Sequence, residues 1–344
     1  ADGAQSSAVW FDGEDIMASI FITGGAGFIG SQMAERLLAE GHAVVSYDNL
    51  ILGKREFLAT ALKNPKFRFA EADLLDLERV VAEMRGADLV IHLAANSDIS
   101  QGAERSDVDL KNGTIATYNT LEAMRRTGVR DVLFASTSAI YGEASLKPTP
   151  ESYGPLFPIS FYGASKLACE GLVSAFAHNC GLRAIVFRFA NIVGPRATHG
   201  AIHDFLKRLK ASPSELKVLG NGTQRKSYLH VSDCIDGILY ARKLHFETEA
   251  RPPGFFECYN LASEGVTQVS SIAAAVVDEV TRRVGSRPAL VFGSEDRGWV
   301  GDVAFTWLDG ARFAKTGWKA RLKSDAAVEQ AVRDIAMQVW GASV

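Results

Sequence analysis

Tyr162 and Lys166 stand four residues apart in the run Tyr162-Gly163-Ala164-Ser165-Lys166. On a helix that spacing is one turn, so a phenol and an ammonium share a face. A free phenol titrates near about pH 10, too high for a general base at neutral pH. A lysine ammonium held beside it favours the phenolate and lowers that value. Thr137 closes an apolar run, Asp131-Val132-Leu133-Phe134-Ala135, followed by Ser136-Thr137-Ser138. Its hydroxyl can hydrogen-bond the same oxygen. Together the three suit removal of a proton from an alcohol. The Tyr–Lys spacing alone also fits an ordinary amphipathic helix, so its meaning depends on what accompanies it.

What accompanies it is a glycine-rich turn near the start. Ile20-Phe21-Ile22-Thr23 reads as a buried strand. Gly24, Gly25, Gly27 and Gly30 follow, satisfying both G-x-G-x-x-G and G-x-x-G-x-x-G, with Phe28 and Ile29 inside the pattern. A helix from Ser31 to Leu38 comes next, closed by Gly41. Strand, glycine turn and helix start in that order direct backbone N–H groups and the positive helix end at a pyrophosphate. The next strand, Ala43–Tyr47, ends in Asp48. A carboxylate there accepts the hydroxyls of an adenosine ribose and repels a 2′-phosphate, which selects NAD over NADP.

The elements between these points alternate. After a polar loop at Asn49–Arg55 comes a helical stretch, then a third strand at Phe67–Ala72, with Asp73 and Leu74 at its end. A short helix covers Leu77–Met84, and a fourth strand covers Asp88–Ala95, ending in Leu93, Ala94 and Ala95. One long helix is expected over Val108–Arg126, a fifth strand at Asp131–Ala135, a helix opened by Tyr162, and a sixth strand at Arg183–Phe189. This rhythm predicts an α/β fold with a doubly wound parallel sheet of the Rossmann type. From Gly194 the rhythm changes. Tyr228–Val231 precedes a helix start at Ser232-Asp233, Phe255–Leu261 could rejoin the sheet, Val269–Val284 is helical, and Trp299–Trp340 is mixed. The expected organisation is therefore a dinucleotide-binding domain over 17–193, with later returns near 229–262. A smaller interleaved C-terminal lobe over 194–228 and 263–344 would bind substrate. Residues 1–16 lack the basic end and apolar centre of a secretory signal and read as a leader before Met17.

Composition narrows the partners. The chain has 344 residues, 47% of them hydrophobic, and a net charge of −3. That balance offers no electrostatic footprint for nucleic acid, and no apolar run approaches a membrane span. Cys169, Cys180, Cys234 and Cys258 have no C-x-x-C spacing and read as reduced thiols of a cytoplasmic protein, Cys169 as core. His199 and His203 have helical ligand spacing without an accompanying H-E-x-x-H glutamate, so no metal site is assigned.

In family order, these motifs resemble the extended short-chain dehydrogenase/reductases, specifically the sugar-nucleotide epimerases and dehydratases. They include Thr23–Gly30, Asp48-Asn49, Asp73-Leu74, His92–Ala95, Ser136–Gly142, Tyr162 with Lys166, and Arg188–Pro195. The resemblance covers Ile20 to about Trp318. It implies bound, recycled NAD and a nucleoside-diphosphate sugar in the C-terminal lobe. It makes Thr137, Tyr162 and Lys166 the catalytic triad and Asn191 a sugar-nucleotide contact, with Ser138 beside the substrate. It places diphosphate contacts in Gly220–Val231. Three departures stand out. The asparagine usual in the long helix falls on Gly113, next to Asn112. The usual Arg-Asp-Tyr is Lys226-Ser227-Tyr228, preceded by Arg225. The Arg-x-Gly-Asp segment is Arg297-Gly298-Trp299-Val300-Gly301-Asp302, its arginine displaced by two. Arg225, Lys226 and Arg297 are the candidate phosphate contacts, and Trp299 either lines the sugar pocket or packs.

Epimerisation at a hydroxyl-bearing carbon, commonly C4 in relatives, is the leading expectation. A dehydratase or decarboxylase, an alcohol dehydrogenase releasing NADH, and a non-catalytic NAD sensor are the alternatives. Ser138 and Ala139 stand where dehydratases of the family carry an Asp-Glu pair, which argues against elimination. The intact triad argues against a sensor. Apolar positions on the helices at 108–126 and 162–177 predict a homodimer.

Overall fold

The computed structural model describes residues 17–99, 101–248, 251–298 and 301–341. The expectations for residues 1–16 and for Trp299 lie outside them. The first half runs β1 (Ser19–Thr23), α1 (Phe28–Ala39), β2 (Ala43–Asp48), β3 (Phe67–Glu71), α2 (Leu77–Met84), β4 (Leu89–His92), a single turn α3 (Gln101–Glu104), α4 (Ala116–Thr127), β5 (Asp131–Thr137), α5 (Phe161–Cys180) and β6 (Arg183–Phe189). The second half runs β7 (Asn191–Val193), α6 (Ala201–Ala211), β8 (Glu215–Val218), β9 (Arg225–Lys226), β10 (Tyr228–His230), α7 (Val231–Arg242), β11 (Phe256–Leu261), β12 (Thr267–Gln268), α8 (Val269–Val284), β13 (Ala289–Phe292), β14 (Phe305–Thr306), α9 (Ala311–Ala314) and α10 (Ser324–Trp340).

Seven strands form one parallel sheet in the order β11-β6-β5-β4-β1-β2-β3. Successive side chains of a strand face opposite sides, so a strand covered by helices on both faces is apolar throughout. Ile20 and Ile22 of β1 pack with Met33 and Leu37 of α1 on one face. Phe21 packs with Val90, Val132 and Phe134 on the other. Full burial of each such side chain stabilises the fold by about 1.5–3 kcal/mol. The strand order reverses between β4 and β1, which opens a crevice beyond their carboxyl ends. β11 does rejoin the sheet beside β6. A third core lies outside the sheet, with Phe205, Leu209, Leu216, Ile272, Val276, Val328 and Ile335 from α6, β8, α8 and α10.

Several boundaries differ from the sequence reading, each for a local reason. β4 ends at His92, because Leu93–Ala95 leaves the sheet to pass over Gly24. β3 stops at Glu71, and only short 3-10 turns follow Lys54. β5 continues to Thr137, paired with Phe189. α1 begins earlier, at Phe28. α5 begins at Phe161, capped by the Ser160 hydroxyl on Gly163 N. α7 begins at Val231, with the His230 ring accepting from Ser232 N. The long helix is present over 108–127 as expected, but Leu110–Ile115 within it is wound as a π-helical turn before α4. Gly113 explains why no asparagine stands there. A Cβ at Gly113 would lie 2.1 Å from Ser165 Oγ of α5, and that hydroxyl donates to the Asp109 carbonyl at 2.7 Å.

Candidate active site

The glycine turn is a tight backbone cradle between β1 and α1. Gly24 has φ +69°, and a Cβ there would meet Ala94 N at 2.9 Å. At Gly30 a Cβ would fall 2.2 Å from the Gly24 carbonyl oxygen, so only glycine closes this turn. Gly27 caps α1 without a side chain on the first-turn N–H groups. Phe28 and Ile29 open that helix. Asp48 at the end of β2 is buried and accepts from Ala26 N at 3.0 Å and Leu50 N at 2.8 Å. Burial pushes its carboxyl above the usual range, and those two backbone bonds pull it back. Next to it, Asn49 Nδ2 donates to Asp73 Oδ2 at 3.0 Å, and the Leu74 carbonyl accepts from Asn119 Nδ2 at 2.8 Å. Leu93, Ala94 and Ala95 line the end of β4, half-buried. Glycines where side chains cannot fit, free helix-start donors and a buried carboxylate on the second strand together fit a dinucleotide.

Thr137, Tyr162 and Lys166 converge beside this cradle. The Thr137 hydroxyl faces the Tyr162 phenol and favours its ionised form. Lys166 is 3% exposed; its Nζ donates to the Ala135 carbonyl at 2.6 Å and lies 4.8 Å from the centre of the Phe134 ring. The expectation that Lys166 lowers the phenol is not met. Burial pushes Tyr162 up to about 12, the Thr137 hydroxyl opposes it, and Asp109 adds to it. Lys166 itself is pulled down by burial, against which Cys169, Glu170 and Asp109 act. Ser138 and Ala139 follow Thr137, and Ala139 N donates to Thr137 Oγ1 at 3.2 Å.

The candidate substrate contacts each have a protein partner. Asn191 Nδ2 donates to the Ser227 carbonyl at 3.2 Å. Lys226 Nζ pairs with the buried Asp302 at 2.5 Å. Arg225 stacks over Phe305, 4.7 Å from the ring centre. Arg297 is paired with Glu143, which follows the strand that carries Thr137.

A sequence profile of the NAD dependent epimerase/dehydratase family matches residues 20–252. The chain belongs to that family. It is 31% identical to a UDP-glucose 4-epimerase of Mycolicibacterium smegmatis over 75% of this chain and 82% of that one. It is also similar to a crystal structure of a UDP-galactose 4-epimerase, with TM-score 0.81 and 37% identity over 94% of this chain and 100% of the other. A Thermus thermophilus UDP-glucose 4-epimerase in complex with NAD superposes with TM-score 0.77 at 29% identity, covering 92% and 98% of the two chains.

Within this family member, sequence reasoning missed the residues that reach the site only through tertiary contacts. Glu170, one turn beyond Lys166, accepts from Ser136 Oγ at 2.5 Å and pairs with Arg188 at 2.8 Å. Arg188 also donates to Tyr141 Oη at 2.9 Å. This buried network fixes the end of β5 and hence Thr137. The four-residue spacing from Lys166 to Glu170 was a usable signal. Asp109, set behind the π-helical turn, gave none.

Proposed function

We infer that the protein is an NAD-dependent epimerase that inverts C4 of a UDP-hexose through a keto intermediate. The convergence of Thr137, Tyr162 and Lys166 beside a dinucleotide cradle is the observation that carries this reading. Gly24, Gly27, Phe28, Ile29 and Gly30 would hold the pyrophosphate. Asp48 and Asn49 would hold the adenosine ribose, Asp73 and Leu74 the adenine edge, and Leu93–Ala95 the cofactor backbone. When bound, NAD supplies a reversible hydride acceptor. Tyr162, once ionised to the phenolate, would take the proton of the C4 hydroxyl and return it to the inverted alkoxide. Thr137 orients that oxygen. Lys166 keeps one proton on the Ala135 carbonyl, and its other two would be available to the ribose of a bound nicotinamide and to the phenolate.

The lobe formed by 194–228 and 263–344 is assigned the nucleotide sugar. Asn191 and Ser138 face the sugar, and Arg225, Lys226 and Arg297 the diphosphate. A homodimer through α4 and α5 is supported by Leu110, Ile115 and Tyr118, exposed at 54%, 41% and 44%. Four free cysteines support a cytoplasmic enzyme, and no described helix is long and apolar enough to cross a membrane. Elimination is not expected, since Ser138 and Ala139 carry no carboxyl. Incubation with UDP-glucose, followed by NMR of the sugar, should show UDP-galactose; a panel of GDP-, CDP- and dTDP-sugars ranks the base. Loss of water or carbon dioxide in place of inversion would overturn the reading.

A further inference from the structure

Asp109 lies on the last residue before the π-helical turn and is 2% exposed. Its Oδ1 accepts from Asn96 Nδ2 at 3.2 Å. Its Oδ2 is fully buried and has no hydrogen-bond partner among the described residues. A buried carboxylate oxygen left unsatisfied is costly and calls for a reason. One contact fixes the Asp109 backbone and another locates this oxygen. The Ser165 hydroxyl bonds the Asp109 carbonyl at 2.7 Å, one residue from Lys166. A Cβ built on Gly102 would touch both Asp109 Oδ2, at 2.8 Å, and Phe161 Cβ, at 3.3 Å, one residue from Tyr162. The carboxylate therefore stands by the start of α5, next to Phe161 and the turn that begins with the phenol. The π-helical turn and Gly113, which make room for Ser165, set it there.

We propose that Asp109 is a positioning residue whose buried carboxylate sets the charge state of the Tyr162–Lys166 pair. This rests on Tyr162 and Lys166 being the reacting pair. Glu170, the other carboxylate near Lys166, is neutralised by Arg188 through contacts of 2.8–3.3 Å. The groups around Asp109 are Asn96 and Asp98 from the end of β4, Gly102 of α3, Asp107 and Lys111 paired with each other on its own segment, and Tyr162, Ser165 and Lys166 of α5. His199 interacts with Asp98 from the lobe side. Asp109 raises the proton affinity of both Tyr162 and Lys166, as Cys169 does only in its thiolate form.

Removing the charge should lower both affinities, so the whole pH window moves toward acid. Asp109→Asn keeps the shape and an oxygen for Asn96. In the protein as purified, the Tyr162 component of the tyrosinate absorbance titration, identified by its loss in Tyr162→Phe, should shift down by about one pH unit. Both limbs of the kcat profile for UDP-glucose should shift with it. A purely structural Asp109 would leave these midpoints in place. Asn96→Ala removes the one donor to the carboxylate, makes it harder to ionise, and should move the midpoints the same way by less. It serves if Asp109→Asn fails to fold. Unmoved midpoints in a folded Asp109→Asn, or in Asn96→Ala if that variant is the one that folds, overturn the proposal. The tyrosinate titration needs no turnover, so an absence of epimerase activity would count against the function and leave Asp109 decided separately.

Discussion

The two sides of the crevice are built on different principles. On the sheet side the cradle is mostly backbone: Gly24 is required by φ and by space and Gly30 by space, and the Asp48 carboxylate holds Ala26 N. On the lobe side the candidate phosphate contacts are charges already engaged within the protein, Lys226 with Asp302, Arg297 with Glu143, and Arg225 over Phe305. A backbone cradle is preorganised. A set of paired cations must exchange protein partners for a ligand, so the two sides should respond differently to mutation.

The largest effect belongs where the two sides meet. Tyr162→Phe should lower kcat by about 10²–10⁴-fold while fold and NAD content persist, since the ring still packs. Steady-state kinetics with a cofactor assay checks both halves. On the lobe side, Asp302→Ala removes the buried carboxylate that the half-buried Lys226 pairs with. It should cost about 1.5–3 kcal/mol of unfolding free energy in urea, and the double variant Lys226→Met/Asp302→Ala should recover part of that. On the cradle side, Gly30→Ala forces a Cβ to 2.2 Å from Gly24 O. It should cost about 1–3 kcal/mol and reduce bound NAD, which quantifying the released nucleotide would detect.

A pH effect also separates the two sides. His92, buried behind the cradle between Thr23 Oγ1 at 2.6 Å and Thr117 Oγ1 at 2.9 Å, is held at about 3 by burial. The folded protein refuses a proton that the unfolded chain accepts near 6.5. Stability from this site is complete above that pH and is lost progressively as pH falls toward about 3. His92→Gln should flatten the fall of Tm between those limits. The smallest stability effect is expected at the exposed Arg297–Glu143 pair, about 0.2–1 kcal/mol. Kinetics there should be more telling: Arg297→Ala should raise KM for the nucleotide sugar, and Glu143→Gln should lower it by freeing the guanidinium. Equal KM in both variants would remove Arg297 from the diphosphate site.

The same division governs what the sequence could tell. Gly24–Gly30, Asp48 and the Tyr162–Lys166 turn are contiguous or one helical turn long, so their chemistry is written locally. Val269–Val284 was equally plain, because its apolar period is uninterrupted. The π-helical turn was not, since Leu110 and Ile115 keep a helical appearance while Ser165, fifty residues on, decides the backbone at Gly113. The phenol's rise to about 12 also lay beyond reach, because burial comes from the assembled fold and not from the four-residue spacing. The partners Asp302 and Glu143 stand 76 and 154 residues from the cations they hold, and nothing local announces them.

Transfer of hydrogen from C4 and its return to the same carbon is best followed with UDP-glucose deuterated at C4. NMR of the UDP-galactose formed should find the deuterium retained at C4, with no build-up of the reduced-nicotinamide absorbance in solution. Deuterium missing from the product, with NADH accumulating in step with an oxidised sugar, would contradict epimerisation and make the protein a dehydrogenase.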